Sequence, residues 1–340
     1  MTDILDPAIR QKAMDVFIAR TGWGNAKRFP LAADASFRRY IRLEQNDQSA
    51  MLMDAPPEHE DTAPFIMISD HLNNLGFSAP KILERDEDDG FLLLEDFGDG
   101  TFTNLLNNGT SETKLYRAAT HLLVALHNSP EAGFLSIPSY SQDILQQEAD
   151  LLIEWYLPEH RGHKAQENEI ETYRDAWAEM YNNLPPAKNT IVLRDFHVDN
   201  LMLLEDRSTY AQVGLLDFQD ALLGHPAYDL MSLLEDARRD ITQELQNQML
   251  DLYFDKAFGT NRDQFMNWYN FLAAQRHAKV IGIFSRLYKR DGKDVYLQHI
   301  PRVCALLAKH LENPLMEPLK IWLEKHLPNF QEIPASLKAK

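Results

Sequence analysis

The sequence predicts an α+β fold in two unequal lobes: a small β-rich N-terminal lobe and a larger helical C-terminal lobe. Strand patterns separated by polar turns occupy much of the chain before residue 96. After residue 100, apolar residues recur mostly at helical spacing, interrupted by one short β-rich insert. We place the boundary between residues 96 and 97, where a buried run FLLL stops at glycines, and such a junction favours a cleft.

The N-terminal lobe begins with an amphipathic helix over residues 7–20. Residues 36–53 predict two strands that are joined by the polar turn EQNDQ and ended by a double proline. A helix over residues 62–75 follows, with a threonine cap and a proline in its first turn. Residues 81–96 predict a second hairpin, whose acidic turn closes at Gly90.

The C-terminal lobe is predicted to be helical over residues 111–127, 141–157 and 168–183, and again from about 228 to 325. The β-rich insert lies between these helices. Its apolar runs IVL, LMLL and VGLL predict three successive short strands of one small sheet.

Two loops of this insert, LRDFHVDN and LLDFQD, place polar residues directly after apolar runs. The predicted sheet would bring Asp195, Asn200 and Asp217 near one of its ends. Clustered oxygen ligands without a basic neighbour are destabilising unless a cation lies among them. Mg²⁺ prefers such oxygens and commonly combines them with phosphates and water.

The spacing of these three residues is that of protein kinases. There, a catalytic-loop Asp is followed five residues later by a metal-binding Asn, and a second metal-binding Asp lies on the next hairpin. The pattern predicts phosphoryl transfer, with Asp195 as the catalytic base and Asn200 and Asp217 as ligands of Mg²⁺.

Composition narrows the class of protein. A formal net charge of -17 repels phosphate backbones, so we expect no nucleic-acid partner. Cys304 is the single cysteine, which excludes a disulfide framework and fits a reducing compartment. The N-terminus lacks the apolar core of a signal peptide, and the apolar runs are too short to cross a bilayer. We therefore expect a cytoplasmic protein without a membrane partner, and a monomer.

Several stretches resemble a known family. LRDFHVDNLM, LLDFQDALLGHPAYDL, LLLEDFG and ALH resemble the aminoglycoside phosphotransferase and choline kinase superfamily of small-molecule kinases. ASFRRYIRL, MDAPPE and QRHAKVIGIFSRLYKRDGK are similar to bacterial kinases that phosphorylate the anomeric hydroxyl of N-acetylmuramate and N-acetylglucosamine during peptidoglycan recycling. The matches run from about residue 33 to 302. The resemblance implies a protein-kinase-like fold, ATP and Mg²⁺ as cofactors, and a small amino sugar as acceptor.

The resemblance also implies roles for the two lobes. Residues 1–96 would bind the nucleotide, and residues 97–340 would carry the catalytic and acceptor-binding groups. The hinge would contact adenine through backbone groups, and the turn ASFRRY would lie over the phosphates with an arginine as charge partner. The implied nucleotide-binding residues are Glu95, Asp96 and Phe97 of the hinge, and Ser36, Phe37, Arg38 and Arg39 of the turn.

Two positions depart from the family pattern. Leu193 stands where the family has a histidine two residues before the catalytic Asp, and that histidine usually supports the loop. The strand AMLMDAP places Met53 or Asp54 where the family has a phosphate-binding lysine. Either an arginine of SFRRYIR replaces this lysine, or the phosphates are held more weakly. An arginine would not be equivalent, because its guanidinium binds phosphate bidentately.

Candidate acceptor-binding residues have structural alternatives. His197 could orient substrate, but a structural hydrogen bond to the loop is the favoured interpretation. Asp199 and Asp220 are candidates for substrate or metal contact, or else solvated loop carboxylates. In the basic segment from 271 to 290, Arg276 or His277 could bind a substrate carboxylate such as the lactyl group of N-acetylmuramate, or the segment could be a solvated basic face.

Two alternative functions stay open from the sequence. The acceptor could be an aminoglycoside or a choline-like or homoserine-like alcohol, and the acidic net charge favours a cationic acceptor. A choline site would need an aromatic cage. The chain could instead be a pseudokinase that binds nucleotide without turnover, which the missing lysine supports and the intact Asp195, Asn200 and Asp217 oppose.

Overall fold

The computed structural model describes residues 7–31 and 37–338. Within these ranges the strands are β1 (Lys27–Pro30), β2 (Arg39–Gln45), β3 (Gln48–Asp54), β4 (Ile82–Asp86), β5 (Phe91–Glu95), β6 (Thr190–Val192), β7 (Leu201–Leu203), β8 (Val213–Leu215) and β9 (Leu222–Gly224).

The α-helices of the same ranges are α1 (Pro7–Arg20), α2 (Ala63–Asn74), α3 (Phe102–Asn107), α4 (Glu112–Asn128), α5 (Gln142–Leu151), α6 (Leu157–Arg161), α7 (Glu167–Asn182), α8 (Ala227–Leu234), α9 (Gln243–Lys256), α10 (Arg262–Asp291), α11 (Ile300–His310) and α12 (Glu317–His326). A π-helical turn, Leu152–Tyr156, connects α5 to α6. No helix of the described residues is long and apolar enough to cross a bilayer.

The chain divides into two compact units. Unit 1 consists of Met1–Leu122 and Val198–Ala221, and unit 2 consists of Leu123–His197 and Leu222–Lys340. The segment 198–221 thus belongs with the N-terminal part of the chain, although residues 123–197 separate the two in sequence. The boundary between the two lobes that we placed between residues 96 and 97 stays a prediction.

Unit 1 is built around an antiparallel sheet of five strands in the order β1-β2-β3-β5-β4. Both predicted hairpins are confirmed. The β2–β3 turn uses Asn46 and Asp47 with φ of 53° and 59°, the left-handed pair that a two-residue hairpin turn requires. Alternate residues of β2, β3 and β5 pack against α1 and form a buried core. The intervening residues face the other side of the sheet.

Helix α2 confirms the predicted helix but not its cap. Thr62 stands at the N-cap position, yet its backbone is helical and its side chain makes no capping hydrogen bond. Asp61 supplies the acceptor instead, since its Oδ1 accepts a hydrogen bond of 2.9 Å from the Ala63 amide. The predicted proline lies in the first turn.

The short strands near the two motif loops do not form the one small sheet that we expected. β7 pairs with β8 in unit 1, and β6 pairs with β9 in unit 2. The prediction was wrong because it considered only the three apolar runs. Strand β9, which follows the third run in the sequence, pairs with β6 instead.

Unit 2 is helical, as predicted, and is arranged around α10, which packs against α5, α8 and α11. The π-helical turn also packs against α10. Gly282 permits this approach, because a Cβ there would lie 2.3 Å from the carbonyl of Leu151. Arg276 and Lys279 of α10 are largely buried, each with a side chain about 11% exposed, so this part of α10 is not a solvated basic face.

Candidate functional site

Unit 1 contains a cavity of about 620 Å³. Its lining comes mainly from residues 38–42, residues 94–99 and the neighbourhood of β7 and β8. Ile41, Leu94 and Leu216 are among its apolar lining residues. The same three stretches also contribute polar residues to the lining. An apolar cavity of this size with a few placed polar groups is typical of a small-molecule site.

The predicted hinge, residues 95–97, lies in the wall of this cavity. The Asp96 carboxylate is engaged within the protein: its Oδ2 lies 2.7 Å from Arg42 Nε, and its Oδ1 accepts a hydrogen bond of 2.9 Å from the Gly98 amide. Arg42 Nη1 also donates to Asp99 Oδ1 at 2.8 Å. Arg42 thus binds the carboxylates of Asp96 and Asp99.

Phe97 is held in place by close packing. A Cβ on Gly214 of β8 would lie 2.9 Å from the Phe97 ring, so this contact requires glycine. The Arg207 guanidinium lies over the same ring, 5.3 Å from its centroid, and also pairs with Glu95. The sequence motif predicted residues 95–97 as the hinge and gave no indication of Arg42, Arg207 or Gly214. Arg42 and Tyr40 are two residues apart in β2 and therefore lie on the same face of the sheet. This alternation along the strand is the sequence signal that could have indicated Arg42.

The two predicted metal ligands both line the cavity. Asn200 directly precedes β7, and Asp217 lies two residues after β8; the pairing of Leu201 with Leu215 brings the two together. Asn200 Nδ2 lies 3.5 Å from Asp217 Oδ2, and the Leu216 amide donates to the Asn200 carbonyl at 3.0 Å. Asp217 has a left-handed φ of 56°, which is uncommon for a residue other than glycine.

The residues of the turn that we predicted to lie over the phosphates have different partners. Arg38 and Arg39 line the cavity. Arg39 pairs with the buried Asp54, whereas Arg38 lies between Glu60 and Asp217. Phe37 is 63% exposed and stacks on His59, and it does not line the cavity. Ser36 lies outside the described residues.

Asp195 belongs to unit 2 and lies in the loop after β6. The Leu193 and Arg194 amides donate to the two oxygens of the buried Asp229 carboxylate at 2.7 and 2.9 Å. Arg194 adopts a left-handed φ of 68°. Asp229 thus bonds back to this loop and does not cap its own helix. The N-cap position of α8 is Pro226.

Arg276 connects α10 to this loop. Its Nη1 donates to the Arg194 carbonyl at 3.2 Å and to the Tyr228 hydroxyl at 3.0 Å, and its Nη2 lies 3.7 Å from Asp195 Oδ1. Burial alone would raise the pKa of Asp195, but the nearby cations, Arg276 foremost, hold it below its usual value. The Asp195 side chain is 41% exposed, so its carboxylate is accessible from solvent.

These loops carry the sequence pattern of one enzyme family, and the comparison with known families agrees. The model of the phosphotransferase enzyme family matches residues 29–268. The chain belongs to this family.

Curated relatives and solved structures refine the assignment. An N-acetylmuramate/N-acetylglucosamine kinase of Caulobacter vibrioides is 33% identical, over 94% of this chain and 97% of its own. The kinase of the same name from Pseudomonas aeruginosa is 35% identical over 85% of each chain. An ADP-bound aminoglycoside phosphotransferase superposes with a TM-score of 0.56, at 17% identity, over 90% of this chain and 99% of its own. The fold is protein-kinase-like α+β, as predicted.

Glu148 of α5 binds several side chains in and around the loop that carries Asp195. Its Oε1 accepts from Lys279 Nζ at 2.7 Å and from Arg194, and its Oε2 accepts from Gln275 at 3.1 Å and from Tyr140. Burial would raise the pKa of Glu148, but Lys279 and Arg194 hold it below its usual value. Sequence reasoning missed this residue, because three of its four partners are 46 to 131 positions away and no local pattern marks them.

The remaining candidates in these loops, His197, Asp199 and Asp220, lie outside the lining of the unit 1 cavity. His197 is 6% exposed and burial lowers its pKa, so the neutral ring is favoured in the fold. Asp199 accepts a hydrogen bond from Thr103 Oγ1, and this bond connects the turn before β7 to α3. Asp220 is exposed, and neither aspartate lines the cavity of unit 1.

His277 does not lie where an acceptor could reach it. It is 1% exposed, and its Nε2 lies 2.9 Å from Glu235 Oε2, which also lies 2.7 Å from His310 Nε2. His310 Nδ1 faces Asn270 Oδ1 at 3.0 Å, and the Asn270 amide group donates to the Met266 carbonyl.

This cluster of Glu235, His277 and His310 has metal-like composition, with its ligand atoms within 4.8 Å of one another. Its hydrogen bonds account for it without a metal. These contacts tie α10 and α11 to Glu235 at the end of α8.

Proposed function

We propose that this phosphotransferase is an ATP-dependent kinase of small amino sugars, which phosphorylates the anomeric hydroxyl of N-acetylmuramate or N-acetylglucosamine in peptidoglycan recycling. The observation that carries the proposal is the identity of 33% and 35% to two kinases of that name, over most of each chain. The arrangement of the Asp195 loop and the unit 1 cavity supports the same reaction.

Asp195 is assigned as the catalytic base. Its exposed carboxylate would orient the acceptor hydroxyl and accept its proton. The depressed pKa supports this role, because the carboxylate is ionised at neutral pH. Asp229 and Arg276 do not react; they fix the backbone and the charge of the loop from which Asp195 acts.

The unit 1 cavity is assigned to ATP. Its apolar lining suits a purine ring, and the backbone of residues 95–97 offers the hydrogen-bonding groups that an adenine edge needs. The coarser expectation of nucleotide use is supported by the ADP-bound structural neighbour.

Asn200 and Asp217 are assigned as the protein ligands of Mg²⁺. A carboxylate and an amide oxygen are the hard donors that this ion prefers, and Asp217 is 48% exposed in the cavity rather than buried in an ion pair. When bound, the ion would bridge phosphate oxygens and neutralise the charge that develops in transfer.

An anionic or neutral acceptor fits unit 2 better than a cationic one. Arg194, Arg276 and Lys279 all lower the pKa of Asp195, so the field at this carboxylate is positive. Glu148 offsets part of it through Arg194 and Lys279, which leaves Arg276 as the cation nearest to Asp195. This local charge opposes the preference for cationic acceptors that the net charge of the chain suggested, and it suits the lactyl carboxylate of N-acetylmuramate.

One observation favours a choline-like acceptor instead. Unit 2 has a second cavity, of about 260 Å³, whose lining includes Tyr140, Tyr228 and Trp268, with His225 stacked on Trp268. Aromatic walls of this kind bind quaternary ammonium groups. However, the cavity is lined by Gly224, which pairs with Thr190 at the start of β6, whereas Asp195 follows the other end of that strand. The amino sugar is therefore the better-supported acceptor.

The test is a turnover assay with Mg-ATP and a panel of acceptors, followed by mass and NMR analysis of the product. We expect a phosphate on C1 of N-acetylmuramate or N-acetylglucosamine. Phosphorylation of an aminoglycoside or choline, with the sugars unchanged, would replace the proposed acceptor. Nucleotide binding without transfer to any acceptor would support the pseudokinase alternative.

A further inference from the structure

Glu148 of α5 is a largely buried carboxylate to which the proposed reaction gives no role. Its side chain is 12% exposed. It belongs to unit 2, as does Asp195. A carboxylate in such surroundings is costly unless cations and hydrogen-bond donors compensate it. The cations that compensate Glu148 therefore indicate where its charge acts.

Two cations meet at Glu148 Oε1. Lys279 Nζ donates to this oxygen at 2.7 Å, and the Arg194 guanidinium donates to it as well. Arg194 directly precedes Asp195 in the chain, and both cations help to hold the pKa of Asp195 below its usual value. The Lys279 side chain is 11% exposed, so water and salt screen its charge only weakly. One carboxylate thus compensates two of the cations that act on the proposed base.

Neutral donors fix the other oxygen of Glu148. Gln275 Nε2 donates to Glu148 Oε2 at 3.1 Å and to the Leu145 carbonyl at 3.0 Å, and the Tyr140 hydroxyl also donates to Oε2. Gln275 is fully buried, so its amide joins α10 to α5 in the interior. The carboxylate is therefore held at a defined position, from which it binds Lys279 and Arg194.

Arg276 differs from these two cations. Its guanidinium lies 3.7 Å from Asp195 Oδ1 and donates to the Arg194 carbonyl and the Tyr228 hydroxyl. Among the contacts of the described residues, none joins Arg276 to Glu148. Glu148 thus offsets the charges of Lys279 and Arg194 but not that of Arg276. The net charge that an acceptor meets beside Asp195 therefore depends on Glu148.

We propose that Glu148 is a positioning residue that sets the acceptor specificity of unit 2 by compensating Lys279 and Arg194. With Glu148 in place, the site accepts a neutral amino sugar as well as one that carries a carboxylate. Without it the site has one more positive charge, which favours the anionic acceptor. This inference rests on the proposed amino-sugar acceptor, and it names the residue that sets the balance between the two sugars.

The two proposed acceptors are a matched pair of probes, because the lactyl carboxylate distinguishes N-acetylmuramate from N-acetylglucosamine. A structural defect lowers kcat/KM for both sugars, whereas a change in local charge alters the ratio between them. In Glu148→Gln we expect the ratio of N-acetylmuramate to N-acetylglucosamine to rise on the order of tenfold, the effect of one unit charge about 10 Å away at the effective dielectric constant of a protein. The change should lie in KM, because the lactyl charge is the same before and during transfer.

Further variants separate the charge of Glu148 from its contacts. Glu148→Asp keeps the charge and should keep the wild-type ratio even where kcat falls. Lys279→Met removes a cation while Glu148 stays paired with Arg194, so the ratio should fall. The double variant Glu148→Gln/Lys279→Met removes one charge of each sign and should return the ratio close to that of the wild type. Lys279→Met also tests the proposal by itself if Glu148→Gln does not fold.

Asp150→Asn is the matched control. Asp150 lies two residues after Glu148 on α5, its side chain is 5% exposed, and it pairs with Arg174 at 2.7 Å. It is thus a buried, compensated carboxylate of the same helix, but its cation differs from those of Glu148. We expect this variant to lower stability in denaturant and to leave the ratio of the two sugars unchanged.

The measurement is steady-state kinetics of the full chain with each sugar at saturating Mg-ATP. An unchanged ratio in Glu148→Gln or in Lys279→Met would overturn the proposal, and so would an equal shift in Asp150→Asn. A ratio that stays shifted in the double variant would show that Glu148 does not act through Lys279. If the wild type phosphorylates neither sugar, the proposed acceptor is wrong and this inference with it. If the wild type phosphorylates both and the variants keep its ratio, this inference alone is wrong.

Discussion

The loops that carry Asp195 and Asp217 are alike in one respect and opposite in another. Each contains a left-handed residue other than glycine: Arg194 in unit 2, with φ of 68°, and Asp217 in unit 1, with φ of 56°. Such a conformation costs on the order of 1–3 kcal/mol and persists only where the surroundings enforce it. The surroundings that enforce it differ between the two loops.

The unit 2 loop is held by buried groups that satisfy one another. Asp229 accepts two of its amides, Arg276 and Ser232 donate to the Arg194 carbonyl, and Glu148 binds the Arg194 side chain. In the unit 1 loop the Asp217 side chain is 48% exposed, and its oxygens face Asn200 at 3.5 Å, Arg38 at 3.7 Å and Gln219 at 2.9 Å. The loop of the proposed base Asp195 is thus held mainly by buried contacts, whereas the contacts described for the proposed metal ligand Asp217 lie at an exposed side chain.

The largest expected effect is the loss of turnover in Asp195→Asn. Removing a general base costs about 10²- to 10⁴-fold in rate. Steady-state kinetics should show this loss in kcat, while ADP affinity by calorimetry stays within about twofold, because the cavity lies within unit 1. Arg28→Gln serves as the control for general effects of substitution. Retained turnover would remove the assigned role and with it the contrast between the loops.

The next largest effect is on stability, in Asp229→Ala. The variant leaves the buried Leu193 amide and the partly buried Arg194 amide without their acceptor, and an unsatisfied buried group costs about 1–3 kcal/mol. We therefore expect the free energy of unfolding, measured in denaturant, to fall by about 2–4 kcal/mol. Asp229→Asn keeps one acceptor oxygen and should cost less. Equal stability of wild type and Asp229→Ala would show that the loop is not held as described.

Stability should also depend on pH through Asp229. Burial raises its pKa to about 7, against the opposing effect of the Leu193 and Arg194 amides. A carboxyl whose pKa is raised on folding binds more protons in the folded state, so its contribution to stability is lost as pH rises from about 4 to about 7. The stability of wild type relative to Asp229→Asn should therefore decline over that range and then level off. A difference that does not change with pH would contradict the raised pKa.

The sequence predicted those parts of the molecule that local patterns encode. Apolar alternation and a polar turn located the β2–β3 hairpin, and the five-residue spacing located Asp195 and Asn200. The pairing of β6 with β9 and the convergence of Arg194, Gln275 and Lys279 on Glu148 could not be predicted. Those contacts join residues far apart in the chain, and no single stretch contains the pattern that specifies them.

A change in the pH profile is expected in Arg276→Gln. Arg276 is the foremost of the cations that hold the pKa of Asp195 below its usual value. Without it the pKa of Asp195 rises, so the fall of kcat on acidification should begin at a higher pH. Lys279→Gln is the comparison, since Lys279 also lowers this pKa but bonds directly to Glu148. If Arg276→Gln lowers kcat equally at every pH, Arg276 acts on the position of the loop and not on its charge.

The smallest expected effect on stability is in Asp217→Asn, and it completes the contrast with Asp229. Asparagine tolerates the left-handed conformation and keeps a polar side chain beside Asn200 and Gln219. Because Asp217 is 48% exposed, we expect the free energy of unfolding to change by less than about 0.5 kcal/mol. Calorimetry should nevertheless show that Mg²⁺ no longer strengthens ATP binding, since the charged ligand is gone. A destabilisation comparable to that of Asp229→Ala would mean that the fold, and not the ligand, determines the unit 1 loop.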